Sequence, residues 1–190
     1  MHTMMERYKM LKEKVVERRS SFMNLMNYLE SETDWLKSPA STRFHLSREQ
    51  GLLEHSCNVA ETMLRLKEAL TPEITDESCV IVALLHDLGK VGMPGRPQYL
   101  KGGKYPYTYN RDLTYLSVPI RSIYLALPYI ELSEEEVQAI VYHDGQYVDD
   151  NASVARKEEP LTLLLQYADT WSGFVLENES KISKLAGMRS

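Results

Sequence analysis

The sequence has no run of about 18 apolar residues, the length that a membrane-spanning helix needs. It also lacks a basic excess: 22 Lys and Arg stand against 27 Asp and Glu, for a net charge of −5. Broad, charge-driven binding to duplex nucleic acid needs a basic surface and is therefore excluded. A small or single-stranded phosphate substrate held by a local basic patch is not. Cysteine is scarce. Cys57 and Cys79 are too few for a disulfide framework or a zinc ribbon, and both fall in apolar, helix-like stretches, so they read as buried reduced thiols. The opening residues, Met1 to Arg7, hold no apolar signal core, which points to a cytoplasmic protein. Internal repeats and low-complexity tracts are missing as well. What is present is ordinary: 190 residues, 43% hydrophobic and 26% charged, enough for one globular domain with a real core.

The organisation is helical. Tyr8, Leu11, Val15, Phe22, Leu25 and Leu29 recur at spacings of three and four, with Arg18 interrupting the stripe. The first 30 residues are expected to form one packing helix, with a homodimer seam as its other use. Ser38-Pro39-Ala40-Ser41 ends that pattern. A helix is expected from Gly51 to Leu70, stopped by Thr71-Pro72. Another starts near Thr75 or Asp76, carries the apolar run Val80 to Leu85 and stops at Gly89, read as a C-terminal glycine. The stretch 91–111 is rich in Gly, Pro and Tyr and reads as an irregular insert, with a small hairpin around Gly102-Gly103. Helices resume near Asp112. Ser133-Glu134-Glu135-Glu136 is a capping box, Asp144 to Glu159 is a loop, and Pro160 opens a last helix through Leu164, Leu165, Ala168 and Trp171.

The chemistry sits in a few polar residues on this apolar frame. Of the five histidines, His2 lies in the N-terminal start; the others are His45, His55, His86 and His143. His86-Asp87 closes an apolar helix, and neutral imidazole with carboxylate suits first-row divalent metals. A histidine held at a core edge by its neighbour would look the same. His55 follows Gly51-Leu52-Leu53-Glu54 at a helix opening. Asp169 lies inside the apolar helix Leu164 to Trp171, where an ionised carboxylate is costly unless a cation or metal meets it. Three helices carrying these residues can converge on two imidazoles and two carboxylates.

The order His, then His-Asp, then Asp on successive helices resembles the signature of the HD-domain superfamily. The strings "GLLEHS", "LLHDLGK", "LSEEEVQAIVYHDG" and "LLLQYADTWSG" are similar to its branch of exoribonucleases and small phage or prophage hydrolases. The resemblance covers roughly Ser41 to Ser172. It implies an all-α HD-domain helical bundle with the insert around 91–111. It also implies a single domain over 1–190: an N-terminal packing helix (1–37), an HD core (41–172) and a C-terminal tail (173–190). By position it makes His55, His86, Asp87 and Asp169 the ligands of a divalent ion, Mn, Fe, Co, Ni or Zn, with Mg less favoured. Relatives often carry a further histidine where this chain reads Leu116-Ser117-Val118-Pro119. The resemblance therefore implies one tightly held metal and leaves a second open.

The implied activity is hydrolysis of a phosphate ester in a nucleotide, cyclic nucleotide or oligonucleotide end by metal-activated water. Asp87, or Asp144, would accept a proton, and His143 would stabilise the phosphate or protonate the leaving group. Lys90 would neutralise phosphate charge, unless it merely complements a helix dipole. His45 is a partner of the site or a plain surface histidine. The insert adds Lys101, Lys104 and Arg111 among Tyr99, Tyr105, Tyr107 and Tyr109. Such a set can grip phosphates and stack bases of a short single strand, or be a solvated hairpin with its tyrosines packed on the core. The alternative to an enzyme is a catalytically silent HD module that binds metal or nucleotide and regulates a partner.

Overall fold

The computed structural model describes residues 2–178 and 181–183. Helix α1 (Met4–Glu13) opens with a capping box in which Thr3 and Glu6 exchange side chain and backbone hydrogen bonds. Helix α2 (Arg19–Glu32) follows a break, so the single helix expected over the first 30 residues is two. The hydrophobic stripe is nonetheless continuous: Tyr8, Leu11, Val15, Phe22, Leu25 and Leu29 are all buried in the core. The break has a tertiary cause. The Glu77 carboxylate accepts the backbone N–H groups of Val16 and Glu17, each at 2.7 Å, and of Arg18 at 3.2 Å. It thus holds the link before α2 from another helix. Arg18, the residue that interrupted the stripe, binds Glu77 at 2.8 Å and Glu136 through two bonds of 2.6 Å.

Helix α3 (Gly51–Leu70) packs against α4 (Asp76–Leu85), which is capped by Thr75. Every residue from Val80 to Leu85 is fully buried, because α3, α5, α6 and α7 surround this one short helix. Gly89 does not stop α4 as expected. The helix ends at Leu85, and a 3-10 turn (Leu88–Val91) follows. Gly89 serves close approach instead: a Cβ there would lie 2.2 Å from the Val118 carbonyl oxygen. The insert is a hairpin of β1 (Tyr99–Lys101) and β2 (Tyr107–Tyr109), antiparallel, with Leu100 opposite Thr108. Its turn uses Gly102 and Gly103 at φ +103° and +102°, which side chains rarely adopt. Tyr99 and Tyr107 are buried, whereas Tyr109 is exposed.

Helix α5 (Val118–Ala126) begins later than Asp112, at Ser117-Val118-Pro119, where proline fixes the first turn. Its buried Arg121 ties the insert to the core by donating to the Gly89 carbonyl, the Thr114 carbonyl and the Gln98 side chain. Helix α6 (Glu134–Val141) opens on the Ser133/Glu136 capping box, and α7 (Pro160–Trp171) opens on proline. Two 3-10 turns (Gly145–Tyr147 and Asp149–Val154) lie in the segment between them, and a π-helical turn (Ser172–Leu176) extends α7. Both cysteines are buried and unpaired, and burial pushes each thiol up to about 12. No helix among the described residues is long and apolar enough to cross a membrane.

The hold of Glu77 on this link gives a first prediction. Glu77→Ala leaves Arg18 and three backbone donors short of an acceptor, and should cost about 3 kcal/mol, read as a lower urea midpoint. Burial alone would raise this carboxyl, but Arg18 and the backbone donors outweigh it and hold it below 4.5. Its contribution is thus complete above that ordinary value and is lost as pH falls through the lowered folded value. The wild type should lose its advantage over Glu77→Ala in acid.

Candidate metal centre

Four elements deliver one inward-facing donor set. His55 projects from the second turn of α3, His86 and Asp87 follow the end of α4, His143 follows the end of α6, and Asp169 lies near the end of α7. Two of the imidazoles are oriented by backbone. His86 Nδ1 lies 2.8 Å from the Ala83 carbonyl and His143 Nδ1 lies 2.8 Å from the Ile140 carbonyl. A carbonyl can only accept, so each Nδ1 carries hydrogen and donates, and each Nε2 faces the centre. His55 is oriented by a side chain: its Nδ1 lies 2.9 Å from Glu177 Oε1.

The facing atoms are close. His55 Nε2 is 3.0 Å from Asp169 Oδ1, 3.4 Å from His86 Nε2 and 3.6 Å from Asp87 Oδ2. His86 Nε2 is 3.5 Å from Asp87 Oδ2 and 3.9 Å from Asp169 Oδ1. Metal bonds of about 2.0–2.2 Å set neighbouring donor atoms roughly 3 to 4 Å apart, so this set fits a first-row divalent ion. His143 Nε2 lies 3.6 Å from Asp87 Oδ1, which gives a second trio of His86, Asp87 and His143 beside the trio of His55, His86 and Asp169.

Charge fits as well as distance. Asp87 and Glu177 are shielded from water and Asp169 partly so, and among the described residues Lys90, paired with Asp87, is the ammonium beside them. With neutral imidazoles, the set carries two uncompensated negative charges, which one divalent ion cancels. In its absence two imidazoles take up protons. Burial opposes charge on His55, but Asp169 and Glu177 raise it to about 10. Burial likewise opposes charge on His143, but Asp87 and Asp144 raise it to about 9. His86 is driven down to about 4 by burial and stays neutral. Burial would raise Asp87 and Asp169, but Lys90 and the imidazoles around them hold both well below the carboxylate range.

The centre opens into a cavity of about 330 Å³ lined by Lys90, Asp144, Tyr147 and Phe174 as well as by His55, Asp87, His143 and Asp169. His45 lines the same cavity. Its ring centroid is 5.0 Å from that of His55, and its Nε2 is 3.8 Å from Glu177. The structure thus brings His45, His55, His86, Asp87, Lys90, His143 and Asp169 together. Lys101, Lys104 and Arg111 stand apart from the cavity lining: Lys101 is 3.3 Å from Glu49, Lys104 lies over the Tyr105 ring, and Arg111 is exposed. Sequence reasoning missed Glu177, which lies in the segment read as a tail, and Asn58, which donates to it at 3.0 Å. One signal was there: Glu177 comes eight residues after Asp169, at the end of a mostly apolar stretch.

A family model described as HD domain matches residues 52–171, a span that holds every donor from His55 to Asp169. No curated protein and no solved structure matches the chain. The matched span is more than half of the 190 residues, and the chain belongs to the HD-domain family.

Proposed function

We propose that the protein is a metal-dependent phosphohydrolase that cleaves a phosphate ester of a nucleotide, cyclic nucleotide or oligonucleotide end. His55, His86, Asp87 and Asp169 hold the ion, and a second ion would use His86, Asp87 and His143. The observation that carries this reading is the ammonium of Lys90 beside the donor set, at the wall of an open cavity. A bound divalent ion supplies a water of lowered pKa and polarises a phosphoryl oxygen. The chain's own groups do the rest. Lys90 places a fixed positive charge where a transferred phosphoryl group gains negative charge. His143 turns Nε2 toward the cavity, 3.7 Å from Asp144, where a proton can pass to a leaving oxygen. Asp87 is the expected proton acceptor, with half-exposed Asp144 the other carboxylate in reach.

The test is metal analysis of wild type and Asp87→Ala, with both assayed on phosphomonoesters and phosphodiesters under added Mn, Ni, Co and Mg. Metal and activity should be lost together in the variant. Lys90→Ala should keep the metal and lower kcat about 100-fold, the scale of one lost charge-stabilising contact. A wild type that binds metal and hydrolyses nothing would make the silent regulatory module the better reading. For oligonucleotide ends, Lys101→Ala with Lys104→Ala and Arg111→Ala should raise KM roughly tenfold and leave kcat unchanged, as lost uniform binding does. An unchanged KM removes the hairpin from substrate recognition.

Metal binding should also release a proton from His55, whose Nε2 the ion would take, while His143 keeps the proton it passes on. Both groups are raised above their ordinary 6.5, so the stability they lend the metal-free protein is complete below that value. It is lost as pH rises through about 9 and 10. Metal affinity should therefore climb with pH toward about 10, the His55 value, and level off above it. Calorimetric titration in buffers of different ionisation enthalpy measures both the proton count and the slope.

A further inference from the structure

The Nδ1 side of His55 leads away from the cavity along polar contacts that the proposed reaction does not use. Glu177 accepts from Nδ1 and, through Oε1, from Asn58 Nδ2 at 3.0 Å. Its side chain is 1% exposed. Asn58 Oδ1 in turn accepts from Arg7 at 2.8 Å, and Arg7 is held by two bonds of 2.8 and 2.9 Å to Glu61. The direction of every bond is set by its chemistry. A guanidinium only donates, which turns the Asn58 amide oxygen toward α1 and its NH₂ toward Glu177. A carboxylate only accepts, which places hydrogen on His55 Nδ1 and leaves Nε2 free for a metal.

His55 differs here from the other two imidazoles. His86 and His143 are oriented by carbonyls that no substitution removes. His55 depends on one carboxylate brought in by the π-helical turn after α7 and steadied from the N-terminal helix. A carboxylate partner also makes the imidazole a stronger ligand than a carbonyl does.

We infer that Glu177 is a positioning residue that fixes the ligating nitrogen of His55 and thereby sets the metal affinity of the centre, with Asn58 and Arg7 holding it in place. This rests on the metal-centre reading. The test uses the full chain, with Co(II) and Zn(II) as probes. Affinity is read by chelator competition, the Co(II) ligand field by visible absorption and the His55 ring nitrogens of the Zn(II) form by ¹⁵N NMR. Glu177→Ala should weaken Co(II) and Zn(II) binding about 10- to 100-fold and shift the Co(II) bands. Glu177→Gln, nearly the same shape, should lose less, and Arg7→Ala, remote from the cavity, a few-fold. Because Glu177→Gln keeps size and can still accept from Nδ1, it answers the question even if Glu177→Ala does not fold. Variants that match wild type in affinity and spectra, while His55→Ala loses the metal, overturn the inference and leave the metal centre intact. A wild type that binds neither ion overturns the metal centre and the inference with it.

Discussion

Three poorly hydrated carboxylates around one lysine are the constraint on which the rest of this molecule depends. Asp87, Asp169 and Glu177 could not stay ionised in the interior without cations close by. Lys90 supplies one. Protons on His55 and His143 supply others, and a divalent ion of the kind proposed would take the place of the proton on His55 Nε2. The cluster is thus a site where a metal ion would compete with protons for one charge deficit, placed where a cavity reaches it.

Holding that deficit requires a rigid frame, and the frame is built around α4. A helix that is apolar on all sides must be surrounded, and α3, α5, α6 and α7 do so. The arrangement brings the end of α4, with His86-Asp87, beside His55 of α3 and Asp169 of α7. Far from the centre, Arg18 binds the first turns of α4 and α6 through Glu77 and Glu136. Both helices end in donors, so this ion-pair hub fixes their N-terminal ends while the metal centre occupies their C-terminal ends.

Local chemistry made much of this legible in the sequence. Thr75, Ser133 and Pro160 mark helix starts through capping and fixed φ, and Gly51 and Leu70 bound α3 as expected. That His55, His86, Asp87 and Asp169 come together was visible because buried His and Asp beside apolar helices need a reason to be there. The misses share a different cause. The break between α1 and α2 depends on Glu77, some 60 residues away along the chain. Gly89 follows a helix end and looks like a cap, whereas its need for a bare Cα comes from Val118. Glu177 reaches His55 across 122 positions of sequence, through a π-helical turn that periodicity did not reveal. Each is a tertiary contact whose partner lies far along the chain, and only Glu177 carried even a faint local signal.

The placement of the histidines explains why one such contact was necessary. A helix leaves its last carbonyls without partners, and an imidazole just beyond the end can fold back to satisfy one. His86 and His143 do this with Ala83 and Ile140, so a single hydrogen bond closes a helix end and aims an imidazole Nε2 at the cluster. His55 sits inside α3, where the carbonyls of the preceding turn already bond along the helix. No backbone acceptor is open to its Nδ1, and an acceptor must come from elsewhere in the fold. Glu177 fills that need with a charge, which adds the third carboxylate to the cluster and completes the deficit that a divalent ion matches.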